Sequence, residues 1–321
     1  MSTGQFVSNC TADALSQAAL ALKNGALVAF PTETVYGLGA DASNPAAISR
    51  IYEAKGRPAD HPLIVHLASS QDIVEWADEI PDYAISLARD FWPGPMTLIF
   101  NRSELAKDFI TGAQNTVGVR VPNHVLALAL LEAFKKVGGK GIAAPSANRF
   151  GHVSPTTAAA VTEELSKFLA PQDLILDGGP SVVGVESTII DCTGNAPKVL
   201  RPGAITDEMI EESTGLALSQ ESTEIRVSGS LEKHYSPRAE VILNQPAKAG
   251  GGLIAMSEIE TPDGVVRLAS PKTHVEFARV LYSALRNADA QALSVVYIDE
   301  PQGDGIAIAI RDRLFRASKG R

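Results

Sequence analysis

From residue 26 to residue 203 the chain is punctuated by short apolar runs: "ALVAFP", "PLIVHL", "MTLIF", "TVGVRVP", "GIAAPSAN", "DLILDGG", "VESTIIDC" and "KVLRPG". Runs this short, rich in β-branched residues and closed by Gly, Pro or small polar residues, have the length of strands. Helical periodicity separates only some of them. Thr11 caps a pattern with Leu15, Ala18, Ala19 and Leu22 on one face and Gly25 as its stop. Asn44 caps a second, with Pro45 in the first turn and Gly56 at the end. "VLALALLEAFKK" makes a third before Gly138 and Gly139, and a fourth is expected near Thr156 to Phe168, with Ser154 at its start. Many short strands interleaved with fewer helices imply an α/β domain with a mixed sheet, closing near Gly203.

The pattern then changes. Residues 207 to 232 carry Asp207, Glu208, Glu211, Glu212, Glu221, Glu224 and Glu232 against a single Arg226, among Ser, Thr and Gly. Its start suits a helical turn, but most of it reads as a linker. From Ala239 the order is strand, strand, strand, helix, strand, helix, a small α/β unit of about eighty residues, close to the lower limit for an independent core. The expected division is 1–206, a linker at 207–238, and a C-terminal unit at 239–321.

A hydrophobic fraction of 45% describes an ordinary globular protein. The net charge of −9 argues against a phosphate-binding surface over the whole molecule but allows a local cationic pocket. The first thirty residues show no basic start with an apolar core and small-residue cleavage site, and no run approaches the roughly 18 apolar residues of a membrane helix. Cys10 and Cys192 are far apart and in no metal-ligand spacing, so a reducing cytoplasm without disulfides is expected.

Four stretches carry polar groups where chemistry could sit. "FPTETVYGLGADA" ends a strand in hydroxyls and a carboxylate and is expected to turn at its glycines; Thr32 and Thr34 could equally satisfy backbone groups there. It fits neither a Walker A loop nor a Rossmann fingerprint. In "KGRPADHPLIVH", Lys55 and Arg57 flank Gly56, so two cations can converge where the backbone comes close to an anion. Lys55 could simply complement a helix C-terminus, which explains Arg57 less well. His61 and His66 have no recognised metal-pair spacing, and His66 could be a core histidine. "APSANRFGHVSPT" presents Ser146, Asn148 and Ser154 around a strand end and a helix start. In "GVESTIID", Ser187 and Thr188 could be plain strand residues, and no Ser-His-Asp or Cys-His order marks a nucleophile.

Taken in order, "PTETVYGLG", "KGRPADHPLIVH", "FWPGPMTLI", "TVGVRVP", "APSANRFGHVSPT", "VESTIID" and "LRPG" resemble the YrdC/Sua5 family of L-threonylcarbamoyladenylate synthases. The acidic linker with "HYSPRA" and the small C-terminal unit match its longer form. The resemblance implies an open, twisted mixed α/β sheet with a concave basic face, followed by a Rossmann-like domain, with the linker reaching over the active site. It implies condensation of L-threonine, bicarbonate or CO2 and ATP, with Mg²⁺, to threonylcarbamoyl-AMP and pyrophosphate. That product would pass to downstream transfer proteins for the N6-threonylcarbamoyl modification of tRNA adenosine 37.

The resemblance also assigns residues. Arg57, His61, Thr116, Ser146, Asn148, Ser154, Arg201 and Tyr235 would contact ATP, with Lys55 joining Arg57 in stabilising phosphate charge. Thr34, His66, Arg120 and Ser187 would bind threonine. His61 departs from the Asn often found at its position, and its charge would vary with pH. No protein metal ligand and no general base is identified. Two other readings compete: an RNA-binding module of the same fold, disfavoured by the acidic charge and by basic residues without interleaved aromatics, and a carbamoyltransferase domain acting on carbamoyl phosphate, whose accompanying acylphosphatase and zinc-finger modules this chain lacks.

Overall fold

The structure, a computed structural model, describes residues 4–8, 10–229 and 234–320. Of the acidic connecting stretch, Glu232 lies outside the described residues. Ten strands form the first sheet: β1 (Gln5–Val7), β2 (Val28–Phe30), β3 (Gly37–Asp41), β4 (Ile64–His66), β5 (Met96–Asn101), β6 (Thr116–Arg120), β7 (Ile142–Ala143), β8 (Leu174–Leu176), β9 (Thr188–Asp191) and β10 (Lys198–Arg201). Their spatial order is β1-β8-β2-β3-β7-β4-β6-β5-β9-β10, mixing parallel pairs such as β4–β6 and β5–β9 with antiparallel ones such as β2–β3 and β5–β6. Four more strands, β11 (Glu240–Leu243), β12 (Gly252–Ile254), β13 (Val266–Ala269) and β14 (Val295–Ile298), form a second sheet in the order β11-β14-β12-β13. Every pair in it is parallel. A parallel sheet needs its faces covered, and the helices His274–Ala290 and Ile306–Ser318 supply buried Phe277, Leu281, Leu285, Ile310 and Leu314.

The caps expected from sequence are in place. Thr11 accepts from Ala14 N, Asn44 accepts from Ala46 N and Ala47 N, and Gly56 closes its helix in the left-handed region at φ 61°. Three local expectations are corrected. The glycines of "YGLGAD" make no turn: Gly37–Asp41 is a strand in mid-sheet. A Cβ on Gly39 would lie 2.7 Å from Ile142 Cγ2 and 2.8 Å from Phe30 Cε1, so glycine serves close packing there. The fourth helix spans Ala158–Leu165 and is capped by Thr157, which accepts from Ala160 N, not by Ser154. An unforeseen helix, Asp82–Phe91, buries Tyr83, Ala84, Leu87 and Ala88 against the sheet.

The helix Asp207–Thr214, at the start of the acidic stretch, sends Ile210 into the core of the first sheet, and Ser213 Oγ donates to Asp90 Oδ2 at 2.7 Å. Beyond it the chain runs without regular secondary structure, with Val227 packed on Ile99 and Ile189. The second sheet's core is shared with the first domain, since Val35, Val153 and Val185, with Tyr235 of the connecting stretch, pack with Phe277, Leu281 and Tyr282. No helix among the described residues is long and apolar enough to cross a membrane.

Candidate active site

Sheet register brings the polar residues together. In the β4–β6 pair His66 lies opposite Arg120, and in the β5–β9 pair Thr97 lies beside the start of β9, next to Ser187. Gly37 bridges Ser146, which sets the loop after β7 against the start of β3. These strand ends line a pocket partly open to solvent. Its walls include Thr34, Arg57, His66, Arg120, Ser146, Ser187, Arg201 and Tyr235, eight of the residues singled out from sequence.

The charges in this pocket are not balanced. Arg120 Nη2 lies 2.6 Å from Glu33 Oε1, while its Nη1 donates to Thr34 Oγ1 at 3.0 Å and its Nε to Gly94 O. Among the described residues neither Arg57 nor Arg201 has a carboxylate within ion-pair distance, although both are buried. Arg57 donates to Pro62 O and to Ser228 Oγ at 3.1 Å; Arg201 donates to Ser228 O at 2.7 Å and to Ser187 O and Oγ. The connecting segment thus lays the oxygens of Ser228 between two guanidinium groups. Burial, chiefly, pulls Arg57 down to about 10, which leaves it cationic at neutral pH. Two buried cations with no carboxylate in ion-pair distance among the described residues make a site for an anion.

Several other wall groups are neutral and preset. Ser187 Oγ shares a 2.8 Å hydrogen bond with Thr97 Oγ1, and Thr34 Oγ1 shares one with Thr32 Oγ1 at 2.8 Å. Burial and then the charge of Arg120 pull His66 down to about 3, so its ring is neutral, and its buried Nδ1 has no hydrogen-bond partner among the described residues. Tyr235, with its hydroxyl likewise buried and unpartnered, is pushed up to about 12, mainly by burial.

Five residues singled out from sequence lie outside this pocket. Lys55 is buried behind it: its Nζ donates to Ser146 O and Asn148 O, each at 2.6 Å, and burial followed by Arg57 holds it well below the usual lysine range. Asn148 Nδ2 donates to Arg149 O and His152 O, which braces the same loop. Ser154 Oγ donates to Glu186 Oε1 at 2.7 Å. Thr116 lines a small neighbouring pocket with Pro62, Ile64, Gly118, Val227 and Ser228. His61 stacks edge-on against Phe150, 5.4 Å between ring centres, with Nε2 4.0 Å from Asp60 Oδ1. Burial and Arg57 lower its pKa.

Sequence reasoning missed Glu33, Glu186, Ser228 and His234. Glu33 and Glu186 stand inside the motif stretches, next to Thr34 and Ser187, and His234 adjoins Tyr235. Ser228, in a stretch read as linker, carried no signal. Among the described residues no three His, Cys, Asp or Glu side chains cluster so as to hold a metal ion.

Residues 20–203 match the Sua5/YciO/YrdC family, described as "Telomere recombination", and residues 205–319 match "Threonylcarbamoyl-AMP synthase, C-terminal domain". The chain is 41% identical to a threonylcarbamoyl-AMP synthase of Pyrococcus abyssi, over 92% of each chain. It is 38% identical to one of Bacillus subtilis, over 96% of this chain and 93% of that one. The crystal structure of P. abyssi Sua5 complexed with L-threonine superposes with a TM-score of 0.87 at 38% identity, covering 99% of this chain and 98% of the other. With both domains matched end to end, the chain belongs to the YrdC/Sua5 family and has the long, two-domain form of its threonylcarbamoyl-AMP synthase enzymes.

Proposed function

We propose that this enzyme condenses L-threonine, bicarbonate or CO2 and ATP to threonylcarbamoyl-AMP and pyrophosphate, in the cytoplasm, for the N6-threonylcarbamoyl modification of tRNA. The observation that carries this reading is the meeting of two buried arginines, Arg57 and Arg201, with no carboxylate partner among the described residues, in one pocket with a set of hydroxyls.

Threonine would sit among Thr34, His66, Arg120 and Ser187, with its carboxylate toward Arg120 and its amine free to attack CO2. The attack forms an N–C bond, and the ammonium proton leaves to solvent or to bicarbonate. A carbamate oxygen then attacks the α-phosphorus, and the α–β bridging oxygen leaves with pyrophosphate. Arg57, Arg201, Ser146 and Tyr235 would hold the phosphates in line, with Thr116 and His61 on the nucleotide side. Lys55, Asn148 and Ser154 support this arrangement by fixing the loop that carries Ser146 and the carboxylate of Glu186. Positioning and charge stabilisation dominate such phosphoryl chemistry. A carbamate also needs shelter from water, and the segments 225–229 and 234–236, which reach the pocket from the connecting stretch 207–238, offer it. Mg²⁺ would arrive on phosphate oxygens and neutralise part of their charge; that fits a pocket whose one wall carboxylate among the described residues, Glu186, is already held by three donors.

The deciding assay supplies ATP, Mg²⁺, bicarbonate and threonine to the purified chain. Pyrophosphate is expected only when threonine and bicarbonate are both present. Release without threonine overturns the reading.

A further inference from the structure

Glu186 lines the pocket, yet two of its three side-chain donors come from the other domain. Ser154 Oγ donates to Oε1 at 2.7 Å, while the hydroxyl of Tyr282 and Nε of Arg313 donate to Oε2 at 2.8 and 3.0 Å. Tyr282 stands on the helix His274–Ala290 and Arg313 on Ile306–Ser318. Arg313 is completely buried and uses Nη1 on Pro202 O and Asp312 Oδ2, both at 2.8 Å. Burial works against its charge, but Tyr235, Glu186 and Tyr282 more than offset it, and the guanidinium stays protonated.

The same two side chains back Tyr235. The Tyr282 ring stacks on that of Tyr235, with centres 5.7 Å apart and 26° between planes, and the Arg313 guanidinium carbon lies 5.7 Å from the Tyr235 ring centre. Tyr235 sits at φ 62°, a conformation strained for a non-glycine residue that persists only where the surroundings impose it. A buried ion pair is a poor way merely to glue two domains, since apolar side chains of similar size would do so at least as well. What it supplies is a fixed geometry for the groups it binds.

We propose that Tyr282 and Arg313 are positioning residues of the active site, setting Glu186 and the Tyr235 ring on the nucleotide side of the pocket from the second domain. The proposal rests on the assignment of Tyr235 to ATP. Ser187, on the threonine side, has hydrogen-bond partners outside the latch in Thr97 and Arg201, so loss of the latch should act more on ATP than on threonine.

The test uses the full chain with Arg313→Gln, Arg313→Lys and Tyr282→Phe. Steady-state KM for ATP and for threonine are measured, together with melting temperature and amide exchange at Ser236, whose N–H donates to Gly151 O at 3.0 Å beside Tyr235. Arg313→Gln is expected to raise KM for ATP about tenfold or more, keep KM for threonine within about twofold, and speed exchange at Ser236. Arg313→Lys should recover part of the loss. Tyr282→Phe, which keeps the ring and removes one donor, should raise KM for ATP about threefold and serves if Arg313→Gln does not fold. Folded variants with unchanged KM for ATP and unchanged exchange overturn the proposal. So does a parallel loss for both substrates that follows the melting temperature and is not rescued by lysine. If the unaltered chain binds no ATP in calorimetry, the nucleotide reading falls and exchange alone decides the latch: faster exchange in Arg313→Gln supports it, unchanged exchange overturns it.

Discussion

Among the described residues, Arg57 and Arg201 donate only to neutral oxygens, and Ser228 accepts from both. Such a pair is poor stabilisation for the empty protein and good preorganisation for a polyanion, because the desolvation is already complete before the ligand arrives. Arg57→Ala is therefore expected to lower kcat/KM for ATP by about a hundredfold or more while moving the melting temperature by no more than about 4 °C. A fall in melting temperature well beyond that, with activity following it, would make Arg57 a structural residue. The sequence marked Arg57 through the glycine and proline that flank it. It did not distinguish the tasks of its neighbour: Lys55, two residues away on the far side of Gly56, turns its ammonium to the carbonyls of Ser146 and Asn148. A one-dimensional spacing says that two cations leave one corner, not which of them faces inward.

At the scale of elements, strand runs and helix caps were readable because local chemistry decides them. Thr11, Asn44 and Gly56 act where their backbone preferences put them. The misread element is β3, where glycines that suggest a turn are instead the residues that let Phe30 and Ile142 close on either side. Gly39→Ala puts a Cβ within 2.8 Å of two side chains and 3.1 Å of Val28 O, and should destabilise by about 1–3 kcal/mol in chemical denaturation. A stability equal to that of the unaltered chain would show that the sheet has room there after all. Ser154 teaches the same lesson. Ser before Pro-Thr suits a cap, but the serine is drawn to Glu186, a residue 32 positions away.

At the scale of the whole molecule, the domains meet through charges as well as a shared core. Glu164, on the helix Ala158–Leu165, takes His152 Nδ1 at 2.9 Å and, from the second domain, Arg286 Nη1 at 3.2 Å. Burial would raise its pKa, but hydrogen bonding from His152 and the charge of Arg286 outweigh it and hold it at about 2. The folded state thus binds this proton less readily than the unfolded one. The stabilisation is complete above the ordinary carboxylate range and is lost as pH falls from about 5 toward 2. Unfolding free energy measured over that range should fall more steeply in the unaltered chain than in Glu164→Gln; equal slopes would exclude Glu164 as a source of acid sensitivity.

By itself the sequence determined a mixed α/β sheet, a second small α/β unit, and an ordered set of polar strand ends from which most of the pocket wall is drawn. Those follow from periodicity, caps and motif order, all of which act within a few residues. Only the tertiary structure decided which side of each strand end faces the pocket and that Ser228 lies between two arginines. The same holds for Tyr282 and Arg313, which reach Glu186 from 96 and 127 residues away. Both stand on helices whose amphipathic pattern assigns a face to the core and nothing more. A buried carboxylate finds its donors by proximity in space, and no local pattern in the chain records that distance.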